Sequence, residues 1–221
     1  MLAVLLLGGA VMERIPDRMD GFTNDPDISE AKYLADTGSQ PNYFQMHLAG
    51  PGLTAWDYST GAGIDVAVFD GSFDISDREL AANVKGTYNA VTGQEGNVYV
   101  AGDGHGTSCA KILGAVGNNG YQSAGVAYNV NLYLVKVAAN ASYSDYWESL
   151  LAGIHYAVSK NCRVISISLS DTEYNAEVEQ AISDAYARVQ NSVLFVASGG
   201  NAGQEEYRYP ASYADAFGVS G

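Results

Sequence analysis

Basic side chains are scarce in this sequence. Its 221 residues include 11 Lys and Arg against 25 Asp and Glu, a formal net charge of −14. A surface so acidic repels phosphate backbones, which argues against nucleic-acid binding. Cysteine is nearly absent. Cys109 and Cys162 cannot form a disulfide framework, and each reads as a small buried hydrophobe. No apolar run reaches the roughly 18–20 residues that cross a bilayer, so no membrane span is expected. Residues 1–12 carry no charge and resemble the core of a secretion signal, but no Lys or Arg precedes them. A leader and a buried segment both remain open as readings. What is present is apolar substance, 47% hydrophobic residues against 16% charged. That balance excludes a disordered chain. A chain of this length can bury roughly 70% of its unfolded surface around one core, and it is expected to form one domain or at most two.

The 25 Gly and 16 Tyr are spread along the chain without a repeat. Residues 13–60 are polar and hold Pro16, Pro26, Pro41 and Pro51, which break long helices. Beyond them the pattern changes. Residues 64–70 (IDVAVFD), 130–137 (VNLYLVKV), 164–169 (VISISL) and 193–197 (VLFVA) are short β-branched runs closed by turn residues, as buried strands are. Helical stripes lie between them. Trp147, Leu150, Leu151, Ile154 and Val158 share one face, with Asp145 and Glu148 spaced as a capping box; Val178, Ile182, Ala185 and Val189 form a second stripe. Strands alternating with helices predict an α/β protein, a mostly parallel sheet covered on both faces. Ligands of such sheets gather at the carboxyl ends of the strands.

The residues with chemistry fall at those ends. Asp70 closes the first strand in VAVFDGSFD, residues 66–74. His105 heads a small-residue helix in DGHGTSCA, residues 103–110. Asn201 stands in the glycine turn of VASGGNAG, residues 196–203. Taken singly, Asp at a strand end is a turn or cap residue and Asn beside Gly serves a left-handed turn.

Their order resembles the subtilisin-like serine proteases, the subtilases of peptidase family S8. Asp70 matches the Asp of that family's V-A-V-I-D-T-G motif, His105 the His of H-G-T-H-V-A-G, and Asn201 the Asn of A-A-G-N. Ile165 to Ser170 (ISISLS) resemble its peptide-binding I-N-M-S-L-G strand. Asn24-Asp25-Pro26 and Ala55-Trp56-Asp57 are similar to its N-D-P and A-W segments. The resemblance covers residues 24–221 as an incomplete peptidase domain; residues 1–23, outside it, are open to reading as a signal or leader remnant. It implies a three-layer subtilisin-like fold and a secreted or cell-surface endopeptidase acting on peptide or protein substrates. His105 would be the general base, Asp70 would orient it, and Asn201 would donate to the oxyanion. Ser168, Leu169 and Ser170 would pair with substrate backbone, opposite residues 141–144.

The family's nucleophile lies in a G-T-S-M-A motif several dozen residues past the Asn, and the expectation is that this segment falls outside the chain. Gly106-Thr107-Ser108-Cys109-Ala110 also spells G-T-S-x-A. Ser108, however, lies inside the His motif, against the Asp-His-Ser order. Other departures are Gly71-Ser72 after the Asp, Lys111 in place of a packing Gly, and Ser170 in place of Gly. His47 and His155 match no motif and read as structural. No cofactor or metal is expected in the reaction. Asn118 and Asn119 fall where some relatives carry a calcium loop, without a clear ligand pattern. The alternative reading is a non-catalytic homologue that kept the peptide-binding sheet. Cys109, four residues after His105 on one helix, is expected beside its ring.

Overall fold

A computed structural model describes residues 24–28, 48, 54–139, 142–190 and 192–220. After a single 3-10 turn at Pro26–Ile28, its helices are α1 (Ala55–Tyr58), α2 (His105–Gly114), α3 (Tyr143–Ser159) and α4 (Ala176–Tyr186). Its strands are β1 (Asp65–Asp70), β2 (Val84–Asn89), β3 (Gln94–Glu95), β4 (Asn131–Lys136), β5 (Val164–Ile167), β6 (Leu194–Ser198) and β7 (Ala216–Val219). They form one sheet in the order β3-β2-β4-β1-β5-β6-β7, parallel throughout except for β2 with β3. The expected α/β architecture is the observed one.

β1 lies in the middle of that sheet and is buried from Val66 to Asp70, so both faces of a β-branched run are used. Strand alternation sends its side chains to two cores. Ala67 and Phe69 pack with Trp147, Leu150 and Ile154 of α3 and Val178 and Ile182 of α4. Val66 and Val68 pack on the opposite face with Ala110 and Leu113 of α2. Leu150 and Ile154, fully buried, each contribute about 1.5–3 kcal/mol by leaving water. The adjacent strands β1 and β4 send the chain in opposite directions across the sheet, β1 outward to β2 and β4 through α3 to β5. Such a switch in direction opens a crevice above the carboxyl ends of these strands.

Several local expectations are corrected. α3 is capped by Ser142, whose Oγ accepts the N–H of Asp145 and donates to its carboxylate. The capping pair therefore starts three residues earlier than Asp145–Glu148, because a hydroxyl at the N-cap satisfies free helix N–H groups. The second stripe ends early: α4 stops at Tyr186, and Val189 is wholly exposed beyond it. β2 (VKGTYN) had no clear signal. It is only half-buried, so its Lys, Gly and Asn positions dilute the apolar alternation. β5 ends at Ile167, and residues 168–170 run out past the ladder.

Candidate active site

β1 delivers Asp70 to the crevice with its side chain 2% exposed. Its carbonyl accepts the N–H of Val137 just past β4, and its Oδ1 accepts the N–H of Gly71 at 2.8 Å. The neighbouring hydroxyl does something else. Ser72 Oγ accepts the N–H of Val100 at 2.7 Å and holds the 98–100 segment, while Phe73 N–H donates to Val98. The carboxylate is therefore oriented by backbone, not by an adjacent hydroxyl.

His105 opens α2, its N–H bonded to Asp103 Oδ1. Helix and strand can meet because residue 106 is glycine. A Cβ there would lie 2.4 Å from the Ser72 carbonyl and 2.6 Å from Asp70 Cβ. At this spacing His105 Nδ1 lies 2.8 Å from Asp70 Oδ2. A carboxylate accepts, so Nδ1 carries the proton, and in the neutral tautomer this leaves the lone pair on Nε2. The ring is largely exposed, on the side of the crevice. Burial pushes the Asp70 carboxyl above the ordinary aspartate value; the His105 and Gly71 hydrogen bonds pull it back, and Asp103 adds to the rise.

Cys109 stands where the helical spacing predicts, its Sγ 3.9 Å from both ring nitrogens of His105. Burial raises its thiol pKa, with Ser168 opposing and Asp70 adding, so it is held as a neutral thiol rather than a nucleophilic thiolate. Cys162 is fully buried and its thiol is pushed up to about 12. It behaves as the expected small hydrophobe.

A cleft of about 350 Å³ joins these groups to the other two segments. Asp70, His105, Ser168, Leu169, Ser170 and Asn201 all line it, together with Arg208. Asn201 follows Gly200, whose φ of +82° gives the left-handed turn that points the chain back over the sheet edge. Ser108 is not among them. Its hydroxyl bonds back to Gly104, and it lines a separate depression with Asp74, Asp77 and Lys111. Lys111, placed where a packing glycine was expected, reaches outward to Asp77 at 3.1 Å. His155 is exposed on α3. His47, and Ala141 of the 141–144 segment expected opposite the substrate strand, lie outside the described residues.

A second group of carboxylates is packed away from this cleft. Asp25 is fully buried and accepts the N–H groups of Asn118, Asn119 and Gly120. Glu79 is 1% exposed. Its Oε1 accepts from Asn119, and its Oε2 has no hydrogen-bond partner. Burial raises its pKa; the Asn119 hydrogen bond and the Lys111 charge pull it back, and Asp25 and Asp77 add to the rise. Sequence reasoning marked Asn118 and Asn119 but missed both carboxylates and Arg208. The N-D-P segment was the available signal for Asp25.

Residues 61–221 match the model of the subtilase family, peptidase S8. Thermitase of Thermoactinomyces vulgaris is 37% identical over 186 residues, covering 80% of this chain and 63% of that protein. An alkaline protease of Alkalihalobacillus alcalophilus is 36% identical over 94% of this chain and 53% of its own length. The chain thus spans about half to two thirds of these relatives. A psychrophilic subtilisin-like protease from the Antarctic psychrotroph Pseudoalteromonas sp. AS-11 superposes with a TM-score of 0.59 at 33% identity. It covers 72% of this chain and 36% of its own.

Proposed function

The chain belongs to the subtilase family, and we propose that residues 24–221 form the base-bearing part of a serine endopeptidase that hydrolyses peptide bonds. The observation that carries this reading is the His105–Asp70 pair, 2.8 Å apart at the rim of a cleft that Asn201 and residues 168–170 also line. His105 Nε2 would take the proton of a serine hydroxyl and return it to the leaving amine. Asp70 would hold the tautomer and stabilise the imidazolium. Asn201 would donate its side-chain amide to the oxyanion. Residues 168–170, leaving the ladder after Ile167, would accept the substrate as an added strand. The serine would come from a G-T-S-x-A segment outside residues 1–221.

The alternative, a peptide-binding homologue without hydrolysis, has one observation on its side. Among the described residues, the hydrogen-bond partners of the His105 ring are Asp70 and Cys109, and no serine hydroxyl is among them. The proposal places the protein outside the cell or at its surface, on the strength of the uncharged apolar residues 1–12. Among the described residues no helix is long and apolar enough to cross a membrane.

Calcium would take no part in this reaction. The Asp25–Glu79 group nonetheless fits a hard cation, because the buried Glu79 Oε2 is orphaned and Asp25 and Asp77 stand near it, with Lys111 offsetting part of that charge. Asp25, Glu79 and Asn119 would hold it, tying residues 24–28 to the 116–122 loop.

The test of function is labelling with a fluorophosphonate probe. The 221-residue chain should take no label and cleave no peptide. The complete gene product should be labelled in a G-T-S-x-A segment outside residues 1–221 and lose the label as His105→Ala. Label on Ser108 would overturn the assignment.

A further inference from the structure

Among the described residues, Arg208 is the one Arg or Lys lining the cleft, in a chain where such residues are outnumbered by more than two to one. Its position is built rather than incidental. Its N–H donates to Ser212 Oγ, and its carbonyl accepts the N–H of Ser212. The next residue, Tyr209, exchanges both backbone hydrogen bonds with Asp171, directly after the 168–170 segment. The stem of Arg208 lies against Gly200, where an added Cβ would come within 3.2 Å of both its Cγ and Nε. Arg208 is thus fastened at one end to the proposed substrate strand and at the other to the residue preceding the proposed oxyanion donor.

The guanidinium has hydrogens to spare. Nε donates to Glu206 Oε1 at 2.8 Å, and Nη2 donates to the same oxygen. Neither bond uses Nη1. Arg208 and Glu206 are both part-exposed, so the pair is a weak competitor for an arriving carboxylate. It holds the planar fork in one orientation, which favours bidentate capture of a second carboxylate.

We propose that Arg208 is a specificity-determining residue that selects peptides carrying Asp or Glu at the position whose carbonyl meets Asn201. This rests on the peptide-cleft reading above and names the substrate class of that site. Ser168, Leu169, Ser170, Gly200, Asn201 and Arg208 line one cleft, so the side chain next to a carbonyl held at Asn201 would lie within reach of the Gly200–Arg208 wall. The rest of the surface is acidic, so the preference is local and opposes the long-range field.

The experiment measures fluorescence anisotropy of labelled hexapeptides that differ only by Glu, Gln or Lys at one position, bound to the 221-residue chain. The Glu peptide should bind at least 10-fold more tightly than the Gln peptide, as a charge-assisted pair allows. Arg208→Gln should bring that ratio below 2, with circular dichroism and thermal melting like those of the parent chain showing that the variant is folded. Arg208→Lys should keep part of the ratio, and Arg208→Glu should turn the preference to Lys. A Glu-to-Gln ratio below 2, a ratio that survives in Arg208→Gln, or no binding of any peptide overturns the inference. Hydrolysis by the complete gene product separates the two readings. Arg208-dependent binding without cleavage rejects the peptidase reading and leaves the selectivity standing. Cleavage blind to Glu, Gln and Arg208 rejects the selectivity alone.

Discussion

Among the described residues, carboxylates are buried in two places, at the end of β1 and beneath the loop after α2, and the two are put together differently. Asp70 is flanked by a glycine N–H and an imidazole that opens onto a cleft. Glu79 is flanked by an asparagine amide, with Lys111 near enough to lower its pKa and Asp25 and Asp77 near enough to raise it. Burial raises both acids, so a perturbed carboxyl alone does not mark chemistry. The partner decides. A titratable base facing open space can move a proton, whereas neighbouring carboxylates only accumulate charge that a cation would relieve.

The strongest way to break this contrast is Asp70→Asn in the complete gene product. The amide presents the wrong partner to Nδ1, and kcat should fall by about 10⁴, as for the equivalent change in another serine protease. A loss below tenfold would make Asp70 no different from Glu79.

Asn201→Ala should follow, with kcat lower by about 10²–10³ and KM little changed. That is the loss seen when such a donor is removed from a subtilisin. An unchanged kcat would reduce Asn201 to a turn residue.

Cys109 sharpens the same side of the comparison. Its raised thiol pKa predicts slow labelling near neutral pH, faster as the pH rises. A bulky adduct so close to the His105 nitrogens should abolish activity by displacing the ring. Full activity after stoichiometric labelling, verified by mass spectrometry, would refute that placement.

The smallest effect concerns the other cluster. Glu79 has a folded pKa above its unfolded one, so its contribution to stability in chelator is present at low pH. That contribution is lost as pH rises through the folded value. Glu79→Gln should therefore raise the Tm in chelator near neutral pH by a few degrees, about 1 kcal/mol. The wild type should gain Tm with millimolar calcium, and the variant should gain little. Equal calcium responses, measured by calorimetry, would remove the cation from the Asp25–Glu79 group.

Much of the site could be read without coordinates. Asp70, His105 and Asn201 each follow a recognisable strand or open a helix, and their motifs are local in sequence. Cys109 was placed by the four-residue period of one helix. β2 escaped notice because half-burial removed its alternation, and the α3 cap was misplaced because Ser142 and Asp145 compete for the same role. Arg208 escaped because nothing local sets an exposed-looking arginine apart from others.

By itself, then, the sequence of this protein determined what depends on neighbours along the chain: strand runs, helix stripes and the three motifs. Tertiary structure alone decided which groups meet across long separations. The Asp25 carboxylate takes N–H groups 93–95 positions away, and His105 reaches Asp70 because Gly106 lets α2 close onto β1. Arg208 enters the cleft through the Asp171–Tyr209 bridge. Such contacts follow from sheet order and close packing, which no short-range periodicity encodes.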